Sequence, residues 1–334
     1  MTQSPGDTSP PLLHVDNLST TFFTDEGTIR AVDRVSFRLH AGETLGLVGE
    51  SGCGKTVTSK SILRLIPQPP GKITGGRILY KGEDLVQATE SRMQRIRGRH
   101  IAMIFQEPMS ALNPVFTVGW QIAEVLALHR MGSRGERRER VLEMLAKVGI
   151  PDPARRIDEY PHQLSGGMRQ RVMIAMALAC NPDILVADEP TTALDVTIQA
   201  QVLRLMRHLR DELHTAMILI THDLGVVAEV CDRVVVMYAA QVVEQGSVSD
   251  VFHRPLHPYT RALLSSIPRR GKKKPGSRLP TIPGMVPDLR ALPQGCRFQA
   301  RCPRAQPRCR EEEPVIDALD DARRVRCFFP VEEV

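Results

Sequence analysis

Gly49-Glu50-Ser51-Gly52-Cys53-Gly54-Lys55-Thr56 sets glycines, a lysine and a hydroxyl at the spacing G-x-x-x-x-G-K-[ST]. Glycines there let successive backbone N–H groups turn inward around a phosphate, and the start of a following helix adds partial positive charge. Lys55 is placed to reach β- and γ-phosphates, and the Thr56 hydroxyl to ligate Mg²⁺. The cradle is taken to run from Gly49 through Ser51, Gly52, Cys53, Gly54, Lys55 and Thr56 to Val57. A Gly-rich turn with a solvated lysine is the bland alternative; an apolar lead-in, Glu43 to Val48, and a helix-like exit, Lys55 to Leu65, argue against it. Cys53 brings a thiol into the loop, which predicts sensitivity to oxidation or alkylation.

Two further clusters carry chemistry. Ile184-Leu185-Val186-Ala187-Asp188-Glu189 is an apolar strand ending in two acids. Asp188 falls at the strand's C-terminal end, where α/β sheets bind ligands, and can hold Mg²⁺ through a water. Glu189 comes one residue later, placed to polarise an attacking water. Alone, such a pair is more often a helix cap; behind a phosphate loop it reads as a metal ligand and a base. Leu164-Ser165-Gly166-Gly167-Met168-Arg169-Gln170 opens a helix with Ser165, Gly166 and Gly167, a second backbone donor cluster suited to phosphate. One domain has little use for two γ-phosphate cradles, whereas two copies facing head to tail would use both.

These residues need strand ends and helix starts beneath them. Leu12 to Phe23 and Ala31 to His40 read as strands joined at Asp25, Glu26 and Gly27. Val118 to His129 and Arg137 to Val148 read as helices, broken by Pro151 and Pro153. Gly167 to Ala179 reads as a helix, Ile184 to Ala187 as a buried strand, Gln199 to Leu213 as a helix and Ala216 to Thr221 as a strand. Strand–helix alternation at this spacing predicts a parallel sheet covered on both faces. Beyond about Asp250, prolines and the Lys272–Lys274 run mark a solvated linker leading to a Cys-containing tail.

Composition excludes other classes. With 334 residues, the chain can hold one large α/β domain plus an appendage. Aromatics make up only 4%, which argues against a stacking surface for single-stranded nucleic acid. The net charge of +6 resides from Arg269 onward, where 15 basic residues meet 9 acidic ones; the body before it is balanced. A neutral body is not the profile of a nucleic-acid tracker. No apolar run approaches a membrane span, and the first dozen residues show no secretion signal, so a soluble, cytosolic protein is expected.

In the chain order phosphate loop, Ser-Gly-Gly helix start and acid pair, the three clusters resemble the ATP-binding cassette (ABC) superfamily over roughly residues 12–250. The resemblance implies a RecA-like parallel α/β core, an antiparallel β subdomain and an α-helical subdomain at about 107–165. A flexible stretch, 1–11, precedes this cassette, and a small irregular Cys-rich extension, 251–334, follows it. It also implies roles for further residues. Gln106, in Phe105-Gln106-Glu107-Pro108, matches the glutamine that senses metal and γ-phosphate. Asp195, in Ala193-Leu194-Asp195, matches the D-loop, and His222, in Thr221-His222-Asp223, the switch histidine. Phe22 matches the aromatic that stacks on adenine, with Phe23 the neighbouring candidate.

A narrower resemblance, to the oligopeptide/dipeptide importer ATPases, lies in Phe105 to Pro114, in Tyr160-Pro161-His162-Gln163 and in His257-Pro258-Tyr259-Thr260-Arg261-Ala262-Leu263-Leu264. It implies a subunit at the cytoplasmic face of a bacterial inner membrane, using ATP and Mg²⁺. Its partners would be two permeases docked on the helical segment, a second ATPase that is a related or identical chain, and an extracytoplasmic peptide-binding protein. The same resemblance leaves dipeptides, longer peptides, or nickel chelates and other small solutes as the cargo. A nucleic-acid ABC ATPase is the reading from another class. It fits poorly: only 108 residues separate Thr56 from Ser165, too few for a long coiled coil, and a single cassette is present.

Cys296, Cys302, Cys309 and Cys327 are spaced C-x5-C-x6-C-x17-C. Clustered thiols in a cytosolic chain point to metal before disulfides. Zinc prefers a C-x2-4-C knuckle, which is missing; the wider spacing suits a [4Fe–4S] cluster, with zinc and plain packed thiols as alternatives. Being far from the phosphate loop in sequence, the tail is expected to be structural or regulatory. Cys180 and Cys231 are expected in the core.

Overall fold

The computed structural model describes residues 10–106, 112–192, 195–266, 281–319 and 323–331. Glu107 to Ala111, Ala193, Leu194 and the Lys272–Lys274 run lie outside them. The chain divides into two units, one drawn from Met1–Arg38, Leu45–Val86 and Thr221–Val334, the other from Leu39–Thr44 and Gln87–Ile220.

In the first unit, β-branched and apolar residues alternate along Leu13–Thr24, burying Leu13, Val15 and Leu18. This strand pairs antiparallel with Gly71–Tyr80, Leu13 opposite Tyr80 and Val15 opposite Ile78. Gly27–Leu39 flanks it on one side, and Glu83–Asp84 closes the other edge of this four-stranded sheet. Thr44–Val48 belongs to a different sheet and runs parallel to Arg233–Tyr238. Both are nearly continuous apolar runs, as strands covered on both faces require. Ala239 and Ala240, both at positive φ, turn the chain tightly into Gln241–Ser247, which pairs back on Arg233–Tyr238.

The C-terminal stretch is integrated with this unit. Arg324–Val325 adds to Gln241–Ser247, and Asp317–Ala318 adds to Arg324–Val325. Phe298 is 1% exposed and packs on Tyr238 and Tyr259, ring centroids 5.2 and 5.5 Å away. The aromatic group shares one core with Val48, Val236 and Leu264.

In the second unit Ile101–Ile104, Ile184–Asp188 and Ala216–Ile220 form successive parallel strands. Helix Gly166–Leu178 packs on the first of these and also against helices Val118–Leu128, Arg134–Lys147 and Val196–Leu213. Ser133 and Glu136 form a capping box at Arg134, so that helix starts three residues before the expected Arg137. Helix Lys55–Ile62 is shorter than its expected span to Leu65, and strands Gly71–Tyr80, Ile101–Ile104, Arg233–Tyr238 and Gln241–Ser247 add to those expected.

Candidate functional site

The phosphate loop lies in the first unit. Five buried residues, Thr44–Val48, deliver the chain to Gly49 at φ +148°, where a Cβ would stand 2.2 Å from the Met237 carbonyl oxygen. At Gly54, φ +101°, a Cβ would stand 2.3 Å from the Ala31 carbonyl oxygen. Both positions therefore require glycine. Gly54 caps helix Lys55–Ile62 without any side-chain hydrogen bond, and a helix start carries partial positive charge that suits an anion. Lys55 Nζ donates to the carbonyls of Gly49 at 2.8 Å and Glu50 at 3.1 Å, and the side chain is buried at the loop's centre. The glycines and the lysine fit a polyphosphate.

Cys53 differs from expectation. Its side chain is 1% exposed, and burial pushes the thiol above its ordinary pKa although Lys55 lies beside it. A protonated, shielded thiol resists oxidants and alkylators, so the predicted sensitivity does not follow.

Phe22 pairs with Gly71 across the strands and is half-buried against it, while Phe23 is 54% exposed. His222 is exposed in the turn after Thr221, whose N–H donates to the Leu47 carbonyl at 3.4 Å. Asp223 caps the following helix, Leu224–Val230, by accepting from the N–H groups of Gly225 and Val226.

The acids lie in the second unit. Asp188 ends its strand and is 1% exposed. Glu189 extends the ladder, its N–H donating to the Ile220 carbonyl at 2.9 Å. It adopts φ +47°, a conformation that costs a non-glycine residue about 1–3 kcal/mol and persists where surroundings enforce it. Two side chains hold its carboxylate: Gln106 Nε2 donates to Oε2 at 3.1 Å and Thr192 Oγ1 donates to the same oxygen at 2.9 Å. Gln106 and Glu189, distant in sequence, thus meet. Thr192 had no signal beyond its place three residues after the base.

Ser165 caps helix Gly166–Leu178, accepting from the Met168 N–H at 3.3 Å, so Gly166 and Gly167 form its first turn as expected. Asp195 caps helix Val196–Leu213 by accepting from the Ile198 N–H at 3.0 Å. Gln170 Nε2 donates to the Pro190 carbonyl at 2.5 Å, tying the Ser165 helix to the turn after Glu189.

Cys296, Cys302, Cys309 and Cys327 all line one cavity of about 20 Å³, together with His257, Phe298 and Arg304. Burial pushes Cys296 and Cys327 up to about 11, and Cys302 upward too, so without a metal they are thiols. All four are free, and among the described residues no group of three or more His, Cys, Asp and Glu is arranged to hold a metal ion. The volume has room for about one water. The donor chemistry fits a cluster, but the thiols would have to part around it. Cys180 is buried as expected, and Cys231 is half-buried against the core.

Sequence distance misleads about this tail. Arg301, next to Cys302, donates to both carboxylate oxygens of Glu50, inside the phosphate loop. Tyr259 accepts from the Glu50 N–H at 3.0 Å. Beside the cysteines, Arg301 reads from sequence as one of several arginines that would offset a cluster's charge, and Tyr259 stands within a quoted motif without a role; no local spacing pairs either with Glu50.

No helix among the described residues is long and apolar enough to cross a membrane. Residues 32–192 match the ABC transporter family, and residues 243–309 match the oligopeptide/dipeptide transporter C-terminal region. The chain is 56% identical over 319 residues to "Probable peptide ABC transporter ATP-binding protein y4tR" of Sinorhizobium fredii, spanning 95% of this chain and 94% of that one. It is 49% identical over 322 residues to the dipeptide transport ATP-binding protein DppD of Escherichia coli, 96% and 98% of the two chains. The dimeric post-hydrolysis cassette MJ0796, bound to ADP and Pi, superposes with a TM-score of 0.63 at 29% identity, over 71% of this chain and 98% of that one. With its phosphate loop, Ser-Gly-Gly helix start and acid pair following one another along the sequence, the chain belongs to the ABC transporter ATPases, in the oligopeptide/dipeptide importer family.

Proposed function

We propose that this chain hydrolyses ATP to drive uptake of di- or oligopeptides through a membrane permease. The observation that carries the cargo is the pairing, in one chain, of a cassette with the oligopeptide/dipeptide transporter C-terminal region. The peptide transport relatives support it along nearly their whole length.

ATP binds with its phosphates on the N–H groups from Gly49 to Val57, Lys55 between the β- and γ-phosphates and Phe22 against adenine. Thr56, Gln106 and Asp188, the last through a water, would hold Mg²⁺, which would offset phosphate charge. Ser165, Gly166, Gly167 and Asp195 act on the ATP of a second cassette, a related or identical chain. Glu189 takes a proton from the attacking water, Gln106 and Thr192 fix its carboxylate, and His222 offsets charge at the γ-phosphate. Cassette closure and reopening turn two permeases outward to receive peptide from a binding protein, and inward again.

Docking at the cytoplasmic face of a bacterial inner membrane places the helical segment against the permeases. Exposed Val115, Phe116, Trp120 and Leu128 there support that contact; the Phe116 and Trp120 rings stack 4.0 Å apart. The test is ATP hydrolysis by the chain assembled with its permeases in vesicles. Peptide-loaded binding protein stimulates it, and import requires intact Glu189. Stimulation by a nickel chelate alone would move the cargo to the alternative class.

The convergence of four thiols on one cavity supports a [4Fe–4S] cluster held by Cys296, Cys302, Cys309 and Cys327. Bound there, it would cross-link the C-terminal segment. Anaerobically purified protein then carries about four irons and four sulfides per chain; zinc at one per chain, or no metal, overturns it.

A further inference from the structure

Glu50 is the second residue of the phosphate loop, and the C-terminal segment grips it twice. Arg301 Nη1 and Nη2 donate to its two carboxylate oxygens at 2.7 and 2.9 Å, the bidentate geometry of a strong pair. Arg301 is itself fixed: Nε donates to the Pro283 carbonyl at 3.0 Å, Nη1 donates to the Tyr238 hydroxyl at 3.3 Å, and its side chain is 4% exposed. The second grip is on the backbone, where the Glu50 N–H donates to the Tyr259 hydroxyl.

Tyr259 is held as firmly. Its ring is fully buried between Tyr238 and Phe298, and its N–H donates to His257 Nδ1 at 3.0 Å. The N–H groups of Leu256 and His257 in turn donate to the fully buried Glu244 carboxylate at 2.8 and 2.9 Å. On its other side, the Glu50 carbonyl accepts from Lys55 Nζ at 3.1 Å. A continuous set of bonds therefore runs from the C-terminal segment through Glu50 to the lysine of the phosphate loop.

The charges explain why such a clamp matters. An unpaired carboxylate in a phosphate loop repels a triphosphate, and its side chain competes for the lysine. We propose that Arg301 and Tyr259 are positioning residues of the ATP site, which neutralise and fix Glu50 so that Lys55 and the loop N–H groups meet ATP in a single geometry. Given the loop's role as the ATP site, proposed above, the C-terminal segment tunes nucleotide affinity.

A double-mutant cycle on the full-length chain tests this, with affinity read by titration of a fluorescent ATP analogue, alongside KM, kcat and melting temperature. Arg301→Ala weakens ATP binding roughly tenfold, and kcat at saturating ATP stays within about twofold. Arg301→Lys restores part of the loss, since it keeps the charge and loses the fork. Adding Glu50→Gln to Arg301→Ala recovers affinity, because the unpaired charge is removed, and high salt shrinks the Arg301→Ala defect. Arg297→Ala is the stability control: it breaks a tie from the same segment to Asp33 and the Ala239 carbonyl, lowers the melting temperature and leaves ATP affinity unchanged. If Arg301→Ala lowers only the melting temperature, or if the two substitutions simply add, the positioning role is overturned. If Lys55→Ala binds nucleotide as well as the parent chain, the nucleotide site itself is misassigned, an outcome distinct from failure of the clamp.

Discussion

Glu189 shows how one residue is readied for chemistry. Its backbone sits at φ +47°, and Gln106 and Thr192 both donate to one oxygen of its carboxylate. Replacing Glu189 by Gln keeps the size and removes the basicity, so steady-state ATP hydrolysis falls by about 10²-fold or more while nucleotide binding persists. Hydrolysis at the parent rate would remove Glu189 from its assigned role. Cys53 makes the opposite case, of a reactive residue type rendered inert by its surroundings. Treating the native chain with iodoacetamide leaves Cys53 unmodified by mass spectrometry and ATP binding intact, because its thiol is buried and protonated.

At the scale of elements, three of the candidate residues, Gly54, Ser165 and Asp195, each stand at a helix N-cap. They differ in what satisfies the first turn. Ser165 and Asp195 accept from their own helices, whereas Gly54 offers no side chain to its first turn. Gly54→Ala sets a methyl group against the Ala31 carbonyl at a φ that L residues disfavour. It is expected to abolish measurable nucleotide binding and to lower stability by about 1–3 kcal/mol, as read by denaturant unfolding. Unchanged affinity would mean that the loop relaxes around the added methyl.

Across the whole chain, the C-terminal segment behaves as part of the first unit's core. Phe298 packs against Tyr238 and Tyr259, so Phe298→Ala is expected to cost about 3–5 kcal/mol by denaturant unfolding. A loss under about 1 kcal/mol would show that the segment is dispensable. Acid exposes the same dependence. Burial, with a smaller contribution from Arg326, lowers His257 from 6.5 to about 3, so the folded chain keeps it neutral where an unfolded chain protonates it. Its contribution is complete above pH 6.5 and drains away as pH falls toward 3. Buried Glu244, raised by desolvation, contributes with the opposite sign. His257→Gln is therefore expected to flatten the acid side of the stability profile between those limits; an unchanged slope would place the titration elsewhere.

The motifs were legible because phosphate chemistry needs particular atoms at short sequence spacing. Glycine at 49 and 54, Lys55, the Asp188–Glu189 pair and the Ser165 helix start each follow from local backbone geometry, and apolar runs such as Ile184 to Ala187 revealed the strands beneath them. Short strands such as Arg324–Val325 carried no comparable signal, since two residues pair there only because a core already holds them. The sequence by itself determined the reaction's chemistry and the family, both written in contiguous residues. Only the tertiary structure decided that Cys53 is shielded, that Gln106 and Thr192 share an oxygen of Glu189, and that Arg301 reaches Glu50 across 251 positions of chain. Burial and long-range pairing depend on how distant segments pack, and no local spacing encodes them.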